Sequence, residues 1–300
     1  MSRLGSTTVQ LNLEALKAAS LRLIERDTLC LVLAGCGGTG SWLAPTVVRT
    51  ARLLMEKFNK TVQVVFVDPD RVEPKNCYRQ NFAEFEVGQN KAETLALRYG
   101  LAWGVEILAL SKPFDCELDK LLSNERQTHY GLSVVVGCVD NAKARAEIHR
   151  YLVEKSGYGA ARWWLDCGND KHSGQVLLGG FNNKNDQSVF PIPGYCARLP
   201  LPSDQHPELL SLEVSEPELE AGLSCADLAV RGAQGLAVNQ QVAAIAGDYL
   251  LQMLVYGSLT HFQTYFDQSS GTMRSTPITV GNLQNYLELE AGSVAGATDE

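Results

Sequence analysis

Apolar runs rich in β-branched residues recur along the chain at about 30–34, 62–67, 105–110, 133–138 and 162–166, and helical patterns fill the intervals at about 40–57, 89–100, 116–123 and 141–156. Strands alternating with helices predict right-handed βαβ crossovers and an α/β fold with a doubly wound, mostly parallel sheet. Ligands of such sheets lie beyond the carboxyl ends of the strands, so the loops after these runs are where chemistry is expected.

After a further strand expected at 174–181 the texture changes. From 182 to about 225 the chain is rich in Pro, Asn, Asp and Glu without sustained periodicity, which predicts a long crossing loop or lid. A small-residue-rich helix is expected at about 226–256. The runs HFQTYFD and STPITVGN, on either side of Ser269, Ser270 and Gly271, predict a C-terminal hairpin extension. The expected organisation is a helical segment over 1–28, one folded unit over 29–290 and a flexible tail over 291–300.

Composition narrows the classes. With 300 residues the chain can bury a sizeable core, and a formal net charge of -8 argues against a nucleic-acid partner, whose electrostatic footprint is basic. No signal peptide and no membrane-spanning apolar run is recognisable, so no membrane partner and a cytoplasmic location are expected. The eight cysteines form no C-x-x-C pair and read as buried thiols rather than a disulfide framework.

The first strand run leads into GCGGTG, with Gly35, Gly37, Gly38 and Gly40, and then a helix. Such a strand, turn and helix N-terminus directs backbone N–H groups and a helix dipole at one point, where an anion is favoured. The spacing is that of a Rossmann-like dinucleotide fingerprint. By itself it admits NAD, FAD or ATP.

Asp68 ends the second run, where a carboxylate commonly binds ribose hydroxyls, and this still fits an NAD-linked oxidoreductase and an ATP user equally. The segment DPDRVEPKNCYRQ then brings Asp70, Asn76, Arg79 and Gln80, and Lys91 starts the next helix. Arg79 and Lys91 suit a triphosphate whose charge must be neutralised under attack at the α-phosphate, and Asn76 can add a hydrogen bond. Asp140, after the fourth run and beside Asn141, is the candidate Mg²⁺ ligand.

Taken in order, GCGGTG, DPDRVEPKNCYRQ, VGQNKA and CVDNAKAR resemble the ubiquitin-activating-type adenylating enzymes of the ThiF/MoeB family. AGCGGTGSW and the later helix are similar to ThiF-family members of the bacterial PRTRC system. The resemblance covers about residues 29–256. It implies ATP and Mg²⁺ as cofactors, with Gly37, Gly38 and Gly40 at the nucleotide, Asp68 on the ribose, and Asn76, Arg79 and Lys91 on the phosphates. Gly35, Asp70, Gln80 and Asn141 join these as nucleotide-binding candidates, and Asp140 holds the metal.

The implied reaction is adenylation of the C-terminal glycine of a small ubiquitin-like or sulfur-carrier protein by a homodimeric enzyme. GLSCADLAVRG resembles the region of relatives whose cysteine receives the activated acyl group, which makes Cys225 a candidate nucleophile and equally a small buried thiol. Two departures stand out. Relatives with a structural zinc carry two C-x-x-C pairs, absent here, which argues against that zinc. The family's N-terminal RYxRQ segment, which reaches the partner subunit's ATP, is not recognisable. A non-catalytic nucleotide-binding scaffold is the remaining alternative.

Overall fold

In the computed structural model the chain is described over residues 16–118, 131–154, 159–185, 188–211 and 225–287. Strand β1 is Ser20–Leu21, followed by β2 (Thr28–Ala34), helix α1 (Gly38–Phe58), β3 (Thr61–Val67), α2 (Lys91–Trp103), β4 (Ile107–Leu110), β5 (Leu132–Gly137) and α3 (Ala142–Val153). Then come β6 (Ala161–Asn169), β7 (Ser173–Phe181), β8 (Tyr195–Cys196), β9 (Arg198–Leu199), α4 (Cys225–Leu251), β10 (His261–Asp267) and β11 (Thr272–Pro277).

The main sheet runs β11-β10-β7-β6-β5-β2-β3-β4, with β9 added to β7. The block from β4 to β6 is parallel, whereas β7, β10 and β11 are antiparallel additions. Chain order reverses between β2 and β5, the switch point at which such sheets bind ligands.

The parallel strands are apolar on both faces because both are covered. Leu31, Leu33, Val64, Phe66, Val134 and Val136 belong to the core beneath α1, α2 and α4. Cys30, Val32, Val65, Val67, Val135 and Trp164 belong to the opposite core, which Ile148, Tyr151 and Leu152 of α3 close. Trp163 and Trp164 are fully buried, one in each core. Helix α4 crosses α1 closely: a Cβ placed on Gly247 would lie 3.0 Å from Thr46. A π-helical turn, Gln252–Tyr256, ends this region. Among the described residues no helix is long and apolar enough to cross a membrane.

Several expectations shift. Residues 16–28 carry no α-helix, because β1 is extended and pairs in parallel with β8, 175 residues later (Ser20↔Tyr195). Asn182 reinforces this by accepting from Ile24 N at 3.0 Å and donating to Arg22 O at 2.7 Å. Most of the helix expected at 116–123, the segment EVSEPELE and the tail over 291–300 lie outside the described residues. The second hairpin strand begins at Thr272 rather than 275, and Val280–Leu283 is a helical turn.

The described residues of the crossing segment are structured. It contains β8, β9 and the turns Pro202–Gln205 and Pro207–Leu210. Gln205 is buried beneath it and donates through Nε2 to Leu178 O at 2.9 Å and Pro200 O at 2.7 Å. At Gly179 the segment presses on the sheet so closely that a Cβ would meet the Pro200 carbonyl oxygen at 2.0 Å. Gly179→Ala is therefore expected to cost about 1–3 kcal/mol by displacing backbone. Chemical denaturation measures this, and an unchanged midpoint contradicts the packing.

Candidate functional site

The site begins where β2 ends. Gly35 takes φ +89°, and a Cβ there would lie 2.5 Å from Cys138 O, so the loops after β2 and β5 touch through bare backbone. Gly40 is required for a second reason: its Cβ would come within 1.9 Å of Gly35 O, blocking the start of α1 from packing on the turn. At Gly38 a Cβ would meet Asn239 at 2.8 Å, whereas at Gly37 the nearest atom is Gln80 Nε2 at 3.8 Å. Gly37 thus leaves open space beside the turn. Among the described residues no side chain caps α1 and no acidic residue occupies its first turn, so its leading N–H groups and dipole are left for an anion.

Asp68 holds this turn in place. Its Oδ2 accepts from Cys36 N at 2.6 Å and its Oδ1 from Asp70 N at 2.8 Å, joining the glycine turn to the loop after β3. Burial pushes its pKa up, and the two backbone donors and Lys91 oppose that rise. Lys91, with only 8% of its side chain exposed, pairs with Asp70 at 3.0 Å. In this arrangement the ammonium and the Asp70 carboxylate are each other's partners.

Asn90 supports both. Its Nδ2 donates to Asp68 O at 2.9 Å and Asp70 O at 3.0 Å, while its Oδ1 caps α2 by accepting from Glu93 N at 3.1 Å. Sequence reasoning missed this residue, although Asn three positions before Glu ahead of an apolar helix is a capping signal.

Asn76 lies in the 3-10 turn Pro74–Tyr78, Arg79 is its C-cap and Gln80 follows. Asn76 is buried, and its Oδ1 accepts from Glu73 N at 2.9 Å, so the side chain shapes the turn. The Arg79 carbonyl accepts from Trp42 Nε1 at 3.2 Å and Asn239 Nδ2 at 3.5 Å. Its guanidinium is exposed and has no partner among the described residues. Gln80 is buried with its Oε1 unsatisfied, and its Nε2 faces Gly37. Asn81 N donates to Ser41 Oγ at 2.9 Å, and the Glu86–Arg98 ion pair braces the segment from behind.

Asp140 is exposed after β5 and accepts from Asn141 Nδ2 at 3.2 Å. Asn141, expected at the nucleotide, is the N-cap of α3, with its Oδ1 accepting from Ala144 N at 2.9 Å. Its amide is thus committed to the helix and to Asp140.

Arg145 is both buried ion pair and site wall. Its Nε donates at 3.1 Å to Asp166, whose carboxyl is raised by burial and lowered by Arg145, and the arginine lines a cavity of about 560 Å³ with Asp140, Asn169 and Ser173. Another cavity, about 370 Å³ around His149 and Lys184, lies away from these residues. The one three-ligand cluster among the described residues, Asp115, Cys116 and Glu147, contains a single thiol.

Asn239 of α4, also unsuspected from sequence, links the two halves. It is 4% exposed, and its Oδ1 accepts from Asn169 Nδ2 at 2.8 Å and Thr39 Oγ1 at 3.3 Å. Cys225 is the first residue of α4, and its side chain lies outside what the structure describes. Cys36, inside the turn, is fully buried with its thiol pKa pushed well up by burial, as befits a packing residue.

The sequence matches the ThiF family over residues 9–183. No curated protein matches it. Among solved structures the fold is similar to PaaA, at 18% identity and a TM-score of 0.50 over 83% of this chain and 64% of that one. It is similar to the microcin C7 biosynthetic enzyme MccB in complex with N-formylated MccA, at 14% identity and a TM-score of 0.51 over 83% and 64%. The structure of E. coli MccB with ATP gives 14% identity and a TM-score of 0.50 over 88% and 65%. The chain therefore spans less than two thirds of the length of each of these proteins.

Asp68→Asn keeps the shape of the clamp but turns an NH₂ toward a backbone N–H. It is expected to cost about 1–3 kcal/mol in stability and to weaken nucleotide binding at least roughly tenfold, since 1.4 kcal/mol is a factor of ten. Thermal denaturation with and without nucleotide checks both, and wild-type values for both contradict the clamp.

Proposed function

The chain belongs to the ThiF family, and from that premise we infer that it uses ATP to adenylate a carboxylate, releasing pyrophosphate. The observation that carries this reading is the uncapped glycine turn with the free Arg79 guanidinium on one side and the exposed Asp140 carboxylate beyond the other. A dinucleotide's pyrophosphate is satisfied by backbone amides, whereas a triphosphate under attack requires such cationic help.

In the reaction proposed, the N–H groups of the turn and Arg79 disperse charge on the phosphates while the acceptor carboxylate attacks the α-phosphorus in line. Lys91 contributes its charge from beneath and reaches a phosphate directly by exchanging Asp70 for it. Gln80 faces the open side of Gly37, where its unsatisfied oxygen and its amide nitrogen can meet the nucleotide. Asp68 clamps the turn, and each of its oxygens retains a lone pair for a ribose hydroxyl.

The exposed carboxylate of Asp140 fits Mg²⁺, which takes one or two carboxylates plus substrate phosphates. Asp140 would hold the ion, which supplies positive charge for the departing pyrophosphate. The acceptor proposed is the C-terminal glycine of a small ubiquitin-like or sulfur-carrier protein. MccB, a protein of the same fold, accommodates ATP in one structure and N-formylated MccA in another, which supports a nucleotide site and a partner site on one such scaffold.

Two variants test the assignment. Asp140→Ala is expected to lower acceptor-dependent ATP–pyrophosphate exchange by about two orders of magnitude or more, roughly 2.7 kcal/mol of lost transition-state stabilisation. Near-normal exchange in the folded variant removes the metal role, and ATP binding without exchange in wild type favours the scaffold reading. Cys225→Ala is expected to spare exchange and abolish a thiol-sensitive acceptor adduct. Persistence of that adduct excludes Cys225 as its attachment point.

A further inference from the structure

One side chain lining the cavity with Asp140, Tyr265, leads to two more, His206 and Glu208, that adenylation does not use. Tyr265 of β10 pairs in register with Gln175 of β7 and lines the cavity together with Leu209. Its hydroxyl is 2.6 Å from His206 Nε2, and His206 Nδ1 is 2.7 Å from Glu208 Oε1. The rings of His206 and Tyr265 meet edge to face with centroids 5.9 Å apart. An ionised carboxylate only accepts, so Nδ1–H donates to Glu208, and in the neutral imidazole Nε2 accepts from the Tyr265 hydroxyl. The bonds therefore run in one direction, from phenol to imidazole to carboxylate, and the phenol oxygen keeps lone pairs for another group.

The two ends of this chain are held in the protonation states it needs. The His206 hydrogen bond holds Glu208 below the usual carboxylate range. Burial first, then Tyr286 and Glu208, push Tyr265 up to about 12, so the phenol keeps its proton at neutral pH. Besides Glu208, the titratable groups facing the pair among the described residues are Asp166 toward His206, and Tyr286 and Tyr249 toward Tyr265.

We propose that Tyr265 and His206 form a proton relay for the second half of the reaction, the attack of a thiol on the acyl-adenylate. This rests on the adenylation reading, whose first half moves no proton: a carboxylate and ATP become an acyl-adenylate and pyrophosphate. The second half must dispose of one. As the S–C bond forms, the thiol proton passes to the Tyr265 oxygen and the phenol's own proton moves to His206 Nε2. The bond from the acyl carbon to the AMP oxygen breaks, and its electron pair leaves with AMP. The products are a thioester and AMP, and the imidazolium beside Glu208 returns its proton to water. Tyr265 is the catalytic residue, while His206 and Glu208 are positioning residues that act through it.

The two half-reactions separate the roles. The probes are a small ubiquitin-fold protein ending in Gly-Gly, with Mg·ATP, as adenylation substrate and dithiothreitol as the thiol. Tyr265→Phe and His206→Gln are expected to retain ATP–pyrophosphate exchange within about threefold while thiol-dependent AMP release falls roughly 100-fold, the usual scale of general-base catalysis. Added imidazole is expected to restore part of the AMP release in His206→Gly, which a purely structural contact does not allow. Unchanged AMP release in Tyr265→Phe, or equal loss of both half-reactions in both variants, overturns the relay and leaves adenylation standing. Absence of exchange in wild type overturns adenylation and the relay with it.

Discussion

The carboxylate of Asp68 is the joint on which the site depends. A helix N-terminus binds an anion only if its leading N–H groups stay unoccupied, and a turn that leaves them so has few bonds of its own to hold it. Asp68 supplies the missing restraint from outside by accepting from Cys36 N, within the turn, and from Asp70 N, on the neighbouring loop. Because the carboxylate is buried, ionising it costs desolvation energy, which the two backbone donors and Lys91 offset in part. Its folded pKa is raised, so this residue detracts from stability once pH rises above that value. The detraction is relieved as pH falls through the raised value toward the unfolded one.

Close backbone approaches carry the same restraint outward. The Cβ-free faces of Gly35 and Gly40 let the loop after β5 rest against the turn, bringing Asp140 to the switch point. On the other side Asn239 binds α1, β6 and the Arg79 turn together with one amide. The C-terminal helix is thereby tied to the candidate site through a residue that belongs to none of the motifs.

What the sequence revealed was local chemistry. The glycine turn, Asp68 and the five parallel strands are encoded by residues near one another, so period and spacing exposed them. Contacts made across the chain were hidden. Asn239 meets Thr39 from 200 positions away, and a single Asn in an apolar helix has no motif. His206 finds Tyr265 only because the crossing segment folds back over the sheet. Residues 16–28 read as helix until pairing with β8 overrode local preference. Asn141, expected at the nucleotide, caps α3 instead, because an Asn ahead of a helix can satisfy the free Ala144 N–H.

This turn, with Arg79 and Asp140 around it, is proposed as a triphosphate site. Calorimetric titration of the full chain with ATP and with NAD⁺, each in the presence of Mg²⁺, tests it most directly. The expected result is saturable ATP binding that weakens when Mg²⁺ is chelated, with no competition from NAD⁺. Tight NAD⁺ binding with no response to ATP would contradict it.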